Sequence, residues 1–147
     1  MARKFFYNIL ILLSVFIFAS CNLSFAEQKD LGGLAPEEAL EYMKGKANDL
    51  ILIDVAPRRW FERETFNGAI HVPAEEMSGA EHEKIFMDLP ADKPVLLYCR
   101  MGRAVPKMYE TLKILRPDII EISYIAGAPM FKEYNDWLQH NVEVSKK

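Results

Sequence analysis

Cysteine is scarce: the 147 residues hold only Cys21 and Cys99. Loss of an N-terminal segment containing Cys21 leaves a single thiol, which excludes an internal disulfide and a cysteine-based metal site. It also excludes dithiol chemistry of the Cys-x-x-Cys kind, because Met101 and Gly102 follow Cys99 and Arg100. Excess positive charge is missing as well. The formal net charge is −3, which makes the chain a poor ligand for nucleic acid or an anionic membrane. There are no repeats, no low-complexity tract and no linker that would divide two domains. Fold stability must therefore come from one hydrophobic core.

The longest apolar run, Ile9 to Ala19, covers eleven residues interrupted only by Ser14. It is too short to span a bilayer comfortably and follows a basic segment with Arg3 and Lys4, the pattern of an export signal. Ser24-Phe25-Ala26 offers small residues at the two specificity positions, predicting a signal peptide over 1–26 and a start at Glu27. Phe18-Ala19-Ser20-Cys21 offers the other reading, a lipoprotein signal over 1–20 with a lipidated, membrane-anchored Cys21. Either predicts an exported, periplasmic protein. Cleavage after Ala26 moves the formal charge from −3 to −5. A lone cysteine in an oxidising compartment is then expected to be reactive.

That cysteine lies in Pro94-Val95-Leu96-Leu97-Tyr98-Cys99-Arg100-Met101-Gly102-Arg103-Ala104. The unbroken apolar run reads as a strand of a parallel sheet covered on both faces. Val105, Met108, Leu112 and Leu115 form one helical stripe, with Pro106 tolerated in the first turn. Cys99 is thus expected where a strand ends and a helix begins. Turn N–H groups and the helix dipole would stabilise a thiolate there.

Along the chain, residues 27–33 read as a flexible lead-in to a domain over 34–147. Pro36-Glu37-Glu38 opens a helix closed by Gly45, and Leu50 to Val55 reads as a second buried strand. A short helical piece is expected over Trp60–Glu64, a turn at Asn67-Gly68, and a short strand over Ala69–Val72. A helix over Ala80–Leu89, a strand over Ile119–Ile125 and a helix from Met130 to Gln139 complete the reading. Alternating strands and helices predict an α/β fold, a mainly parallel sheet of about five strands with helices on both faces. The loops 56–59, 99–104 and 126–128 would leave strand carboxyl ends, where such sheets bind ligands. Cys99 and up to four arginines, Arg58, Arg59, Arg100 and Arg103, would then face a small anion.

Leu52-Ile53-Asp54-Val55, Gly68-Ala69-Ile70-His71-Val72-Pro73 and Leu97-Tyr98-Cys99-Arg100-Met101-Gly102-Arg103-Ala104 together resemble the single-domain rhodanese family of sulfurtransferases. The resemblance implies that sulfane sulfur passes from thiosulfate, polysulfide or a persulfide to Cys99, then to cyanide, a thiol or a protein acceptor. It implies no metal and no cofactor. Backbone N–H groups from Arg100 to Ala104 would cradle the terminal sulfur anion. Arg100 and Arg103 would orient an oxyanion donor. Asp54 and His71 read as structural, and Trp60, Phe61, Phe66, Phe131 and Trp137 as core or pocket wall. The family's arginine after "DV" is Ala56 here, so Arg58 or Arg59 is the candidate replacement. The usual "GHIPGA" reads Glu64-Thr65-Phe66-Asn67-Gly68-Ala69. A cysteine phosphatase would need Cys-x5-Arg, and the sixth residue after Cys99 is Val105. A persulfide carrier or sulfide-sensing module of the same fold is the non-enzymatic alternative.

Overall fold

A computed structural model describes residues 27–144. The expected signal segment and Cys21 lie outside them. Ten elements follow in order: β1 (Lys29–Leu34), α1 (Pro36–Lys46), β2 (Ile51–Asp54), α2 (Arg58–Phe61), β3 (Ile70–His71), α3 (Gly79–Met87), β4 (Val95–Tyr98), α4 (Val105–Leu115), β5 (Glu121–Ile125) and α5 (Phe131–Val144). The five strands make one sheet in the order β1-β5-β4-β2-β3, and every pairing is parallel. The fold is the expected α/β sheet with helices on both faces.

Period-two alternation in the central strands builds two core layers. Ile53, Val55, Val95, Leu97 and Cys99 join Phe86 and Leu89 around α3 and Met108 and Leu112 of α4. Leu52, Leu96, Tyr98 and Ile125 face the opposite way and meet Ala39, Leu40 and Met43 of α1 with Phe131 and Tyr134 of α5. All of β4 is buried, as an apolar run in a sheet centre requires.

The main departure is β1. Residues expected as a flexible lead-in form the strand Lys29–Leu34, paired with β5 from Lys29↔Glu121 to Leu34↔Ile125. Its register shifts between Asp30 and Gly32, where Gly32 takes φ 65° and its N–H donates to Asp30 Oδ1 at 2.9 Å. This bulge, two glycines and two charges remove the alternation that would mark a strand. Backbone pairing to β5 holds it there, helped by Leu34 buried in the core and by ion pairs of Lys29 with Glu121 and of Asp30 with Lys113. Smaller shifts occur at α2, which starts at Arg58 rather than Trp60, and at β3, which shrinks to two residues.

The strand order also creates the crevice. From β2 the chain moves outward to β3, whereas from β4 it moves the other way to β5. Neighbouring connections that diverge leave a gap at the carboxyl ends of β2 and β4. Ala56–Arg59 and Cys99–Ala104 border that gap.

Candidate functional site

Cys99 follows β4 directly and is 6% exposed. Val55 N–H donates to Tyr98 O at 2.9 Å, carrying the β2–β4 ladder to the last residue before the cysteine. The chain then curls through Arg100–Ala104 into α4. Gly102 makes the curl possible with φ 69°. A Cβ on Gly102 would stand 2.7 Å from Gly127 N, so the loops after β4 and β5 touch backbone to backbone. Among the described residues, the N–H groups of Arg100, Met101, Gly102, Arg103 and Ala104 donate to no protein acceptor. They are free to serve an anion at the amino end of α4, where the helix dipole adds to them.

A buried polar chain supports this loop from below. Asp54 is 2% exposed and accepts from Ala56 N at 2.9 Å and from Thr65 Oγ1 at 3.0 Å. Because a carboxylate only accepts, the single Thr65 proton points to Asp54, and the Tyr98 phenol donates to Thr65 Oγ1 at 2.6 Å. Phe66 N–H completes the chain by donating to Tyr98 Oη at 3.3 Å. Burial pushes the Asp54 carboxyl up against these two hydrogen bonds. Burial and the Asp54 charge push the Tyr98 phenol up, so it keeps its proton. Asn135 of α5 then grips the same segment from outside. Its Nδ2 donates to Thr65 O at 2.9 Å, and its Oδ1 accepts from Asn67 N at 2.8 Å. Residues 65–67, unusual in the sequence pattern, are thereby fixed at both ends.

Beside the loop lies a cavity of about 420 Å³ walled by Trp60, Met101, Ala128, Pro129 and Phe131, with Glu64, Arg100, Lys132 and Glu133 as its charged groups. Arg100 lies over two aromatic rings, its guanidinium carbon 5.4 Å from the Trp60 centroid and 4.9 Å from that of Phe131. Its Nη1 also donates to Glu64 Oε2 at 2.9 Å.

The expected convergence of four arginines is not what forms. Only Arg100 lines the cavity. Arg59 lies against Trp60 at 5.8 Å, joined there by Arg63 at 5.5 Å, a residue the sequence reading left out. Arg58 is exposed and gives its backbone N–H to the Glu76 carboxylate at 3.0 and 3.2 Å. Arg103 is exposed at the loop surface. Helical geometry explains the scatter: successive residues of α2 point about 100° apart, so Arg58 and Arg59 cannot face one ligand together. His71 is a structural residue, its Nε2 2.9 Å from Ala56 O and its ring stacked on Phe61 at 4.2 Å. Trp60 and Phe131 are pocket wall and Phe66 is core, as expected. Glu64 and Thr65 were missed as site residues. Their only sequence signal was the departure from "GHIPGA".

A model of the rhodanese-like domain family matches residues 35–134, from the end of β1 into α5. The chain belongs to that family. The matched span contains the Cys99 loop, Asp54 and Glu64, and all but the first strand of this rhodanese-like sheet. A tRNA sulfurtransferase from Desulfurococcus amylolyticus is 35% identical over 77 residues, half of this chain and 14% of that protein's length. Among solved structures, a protein of unknown function from Rhodopseudomonas palustris, described as a possible tyrosine phosphatase, superposes with a TM-score of 0.53 at 18% identity. That superposition covers 72% of this chain and 80% of the other. A rhodanese-like domain protein from Staphylococcus aureus superposes with a TM-score of 0.51 at 14% identity, covering 69% and 87%. At such identities the likeness is one of fold. The phosphatase description does not transfer, because the position six after Cys99 is Val105, fully buried and without a guanidinium.

Proposed function

We propose that this rhodanese-like domain is a sulfurtransferase working through a persulfide on Cys99. The observation that carries the reading is the cysteine's place at the end of β4, followed by five unpaired loop N–H groups. Family membership and the partial match to a sulfurtransferase support it. The Cys99 thiolate attacks the outer sulfur of the donor. The donor's S–S bond breaks, and its electron pair leaves as sulfite from thiosulfate or as a thiolate from a persulfide. Cys99 now carries a terminal sulfur anion, and the N–H groups of Arg100–Ala104 stabilise it as oxyanion-hole donors stabilise developing charge. A thiophilic acceptor, whether cyanide, a thiol or a protein cysteine, takes that sulfur and returns Cys99 to thiolate. No external base or redox partner is needed. The N-terminal pattern supports a periplasmic setting for this chemistry.

Intact mass of residues 27–147 after exposure to thiosulfate or polysulfide, then to cyanide or a small thiol, tests the proposal. Gain of one sulfur (roughly 32 Da), lost promptly with acceptor and absent in Cys99→Ser, is expected. Uptake by Cys99→Ser would overturn the site assignment. Uptake without discharge would instead make the domain a persulfide carrier or sulfide sensor.

A further inference from the structure

We propose that Glu64 is a selectivity residue that screens Arg100 and turns the site away from small dianionic donors, toward organic persulfides of low charge. This rests on the sulfurtransfer reading above and narrows its donor.

Arg100 is the cation next to Cys99 in the chain, and the one an oxyanion would be expected to use. Its charge is already engaged. Glu64 Oε2 stands 2.9 Å from Nη1, and the two side chains are 48% and 22% exposed. The guanidinium lies over the rings of both Trp60 and Phe131, so moving to a new anion would forfeit two cation–π contacts and one ion pair. The chain that carries Glu64 is anchored, since Thr65 beside it is tied to Asp54, Tyr98 and Asn135. The cavity's other charges do not restore an anion trap: Glu133 offsets Lys132, and Lys132 is itself paired with Asp136 at 2.5 Å. Arg59 and Arg63 lie against Trp60 but do not line the cavity and are exposed to screening by solvent. A thiosulfate dianion would therefore meet a paired arginine and a nearby carboxylate. The apolar part of the wall, Trp60, Met101, Ala128, Pro129 and Phe131, instead suits a carbon substituent such as a benzyl or alkyl group. With such a donor the Cys99 thiolate takes the terminal sulfur, the donor S–S bond breaks, and the organic thiolate leaves with the electron pair.

The test compares second-order rate constants for loading Cys99 from thiosulfate and from benzyl persulfide, in the wild type and in Glu64→Gln. The wild type is expected to load faster from benzyl persulfide. Glu64→Gln is expected to raise the thiosulfate rate on the order of tenfold at low ionic strength, the scale of one partly screened charge at contact. Its benzyl persulfide rate should stay within about twofold, and the thiosulfate gain should shrink with added salt as charges are screened over about 10 Å at 0.1 M. An unchanged donor ratio in Glu64→Gln, with both donors loading, would overturn the role of Glu64 and leave sulfurtransfer standing. Failure of every donor to load either protein would overturn both.

Discussion

Gly102 shows most directly how one residue sets the site. Its backbone is left-handed at φ 69°, and a Cβ would meet Gly127 N at 2.7 Å. Gly102→Ala is expected to lose about 1–2 kcal/mol from the dihedral alone, and more from the forced separation of the two loops. Urea denaturation would measure the first effect. The second should appear as slower sulfur loading of Cys99, because displaced N–H groups no longer face the transferred sulfur. Loading at the wild-type rate would show that the loop's curl is not what activates the cysteine. Arg100 makes a complementary point. The residue type was legible in the sequence, whereas its partner Glu64, 36 positions away, was not.

Elements are locked to one another here by buried polar side chains as well as apolar layers. Arg116, the residue after α4, has a side chain only 7% exposed. Its Nη1 donates to the carbonyls of Phe86 and Leu89 at 2.7 Å each and of Met87 at 3.2 Å, at and just past the carboxyl end of α3, where carbonyls lack their full set of helical partners. Asp118 takes the other edge of the guanidinium through two 2.8 Å bonds. This fork joins α3 to α4 on the face that carries Cys99. Arg116→Met is expected to destabilise the fold by about 3 kcal/mol, the scale of breaking a buried ionic contact. Arg116→Lys should recover only part, since an ammonium cannot span the carbonyls and both carboxylate oxygens. Equal denaturation midpoints for Arg116→Met and the wild type would show that α3 needs no such cap. In the sequence, Arg116-Pro117-Asp118 reads only as a turn, because the carbonyls it serves lie about 30 residues earlier.

Across the whole molecule, the two ends of the sheet do different work. The candidate site lies at the carboxyl ends of β2 and β4, while at the amino end of β5 the buried Glu121 collects Tyr42 at 2.6 Å, Lys46 at 2.8 Å and Lys29 at 3.2 Å. Burial alone would raise this carboxyl, but the hydrogen bonds from Lys46, Tyr42 and Lys29 outweigh it and hold it below the usual range. A depressed folded-state value means that its stabilisation is full above the unfolded value, about 4.3. That stabilisation fades as pH falls through the folded value. Urea midpoints between neutral pH and pH 3 should therefore drop more steeply for the wild type than for Glu121→Gln. Parallel curves would remove Glu121 from the acid-sensitive groups. Because the cluster ties β1, α1 and β5 together, the acid transition is expected to loosen the β1 edge of the sheet.

Local pattern alone determined the α/β class, the central strands β2, β4 and β5, the four longer helices and the placement of Cys99 at a strand-to-helix turn. Those features arise from periodicity, helix starts and apolar runs, which are properties of neighbouring residues. Tertiary structure alone decided three other matters. It recruited Lys29–Leu34 as an edge strand through backbone pairing that no side-chain pattern announces. It separated the four candidate arginines, because a side chain's direction depends on where its element docks. It set Glu64 against Arg100 through a segment anchored by Tyr98 and Asn135, contacts made across 33 to 70 residues of chain. Such pairings depend on how layers meet in space, and neighbouring residues carry no record of them.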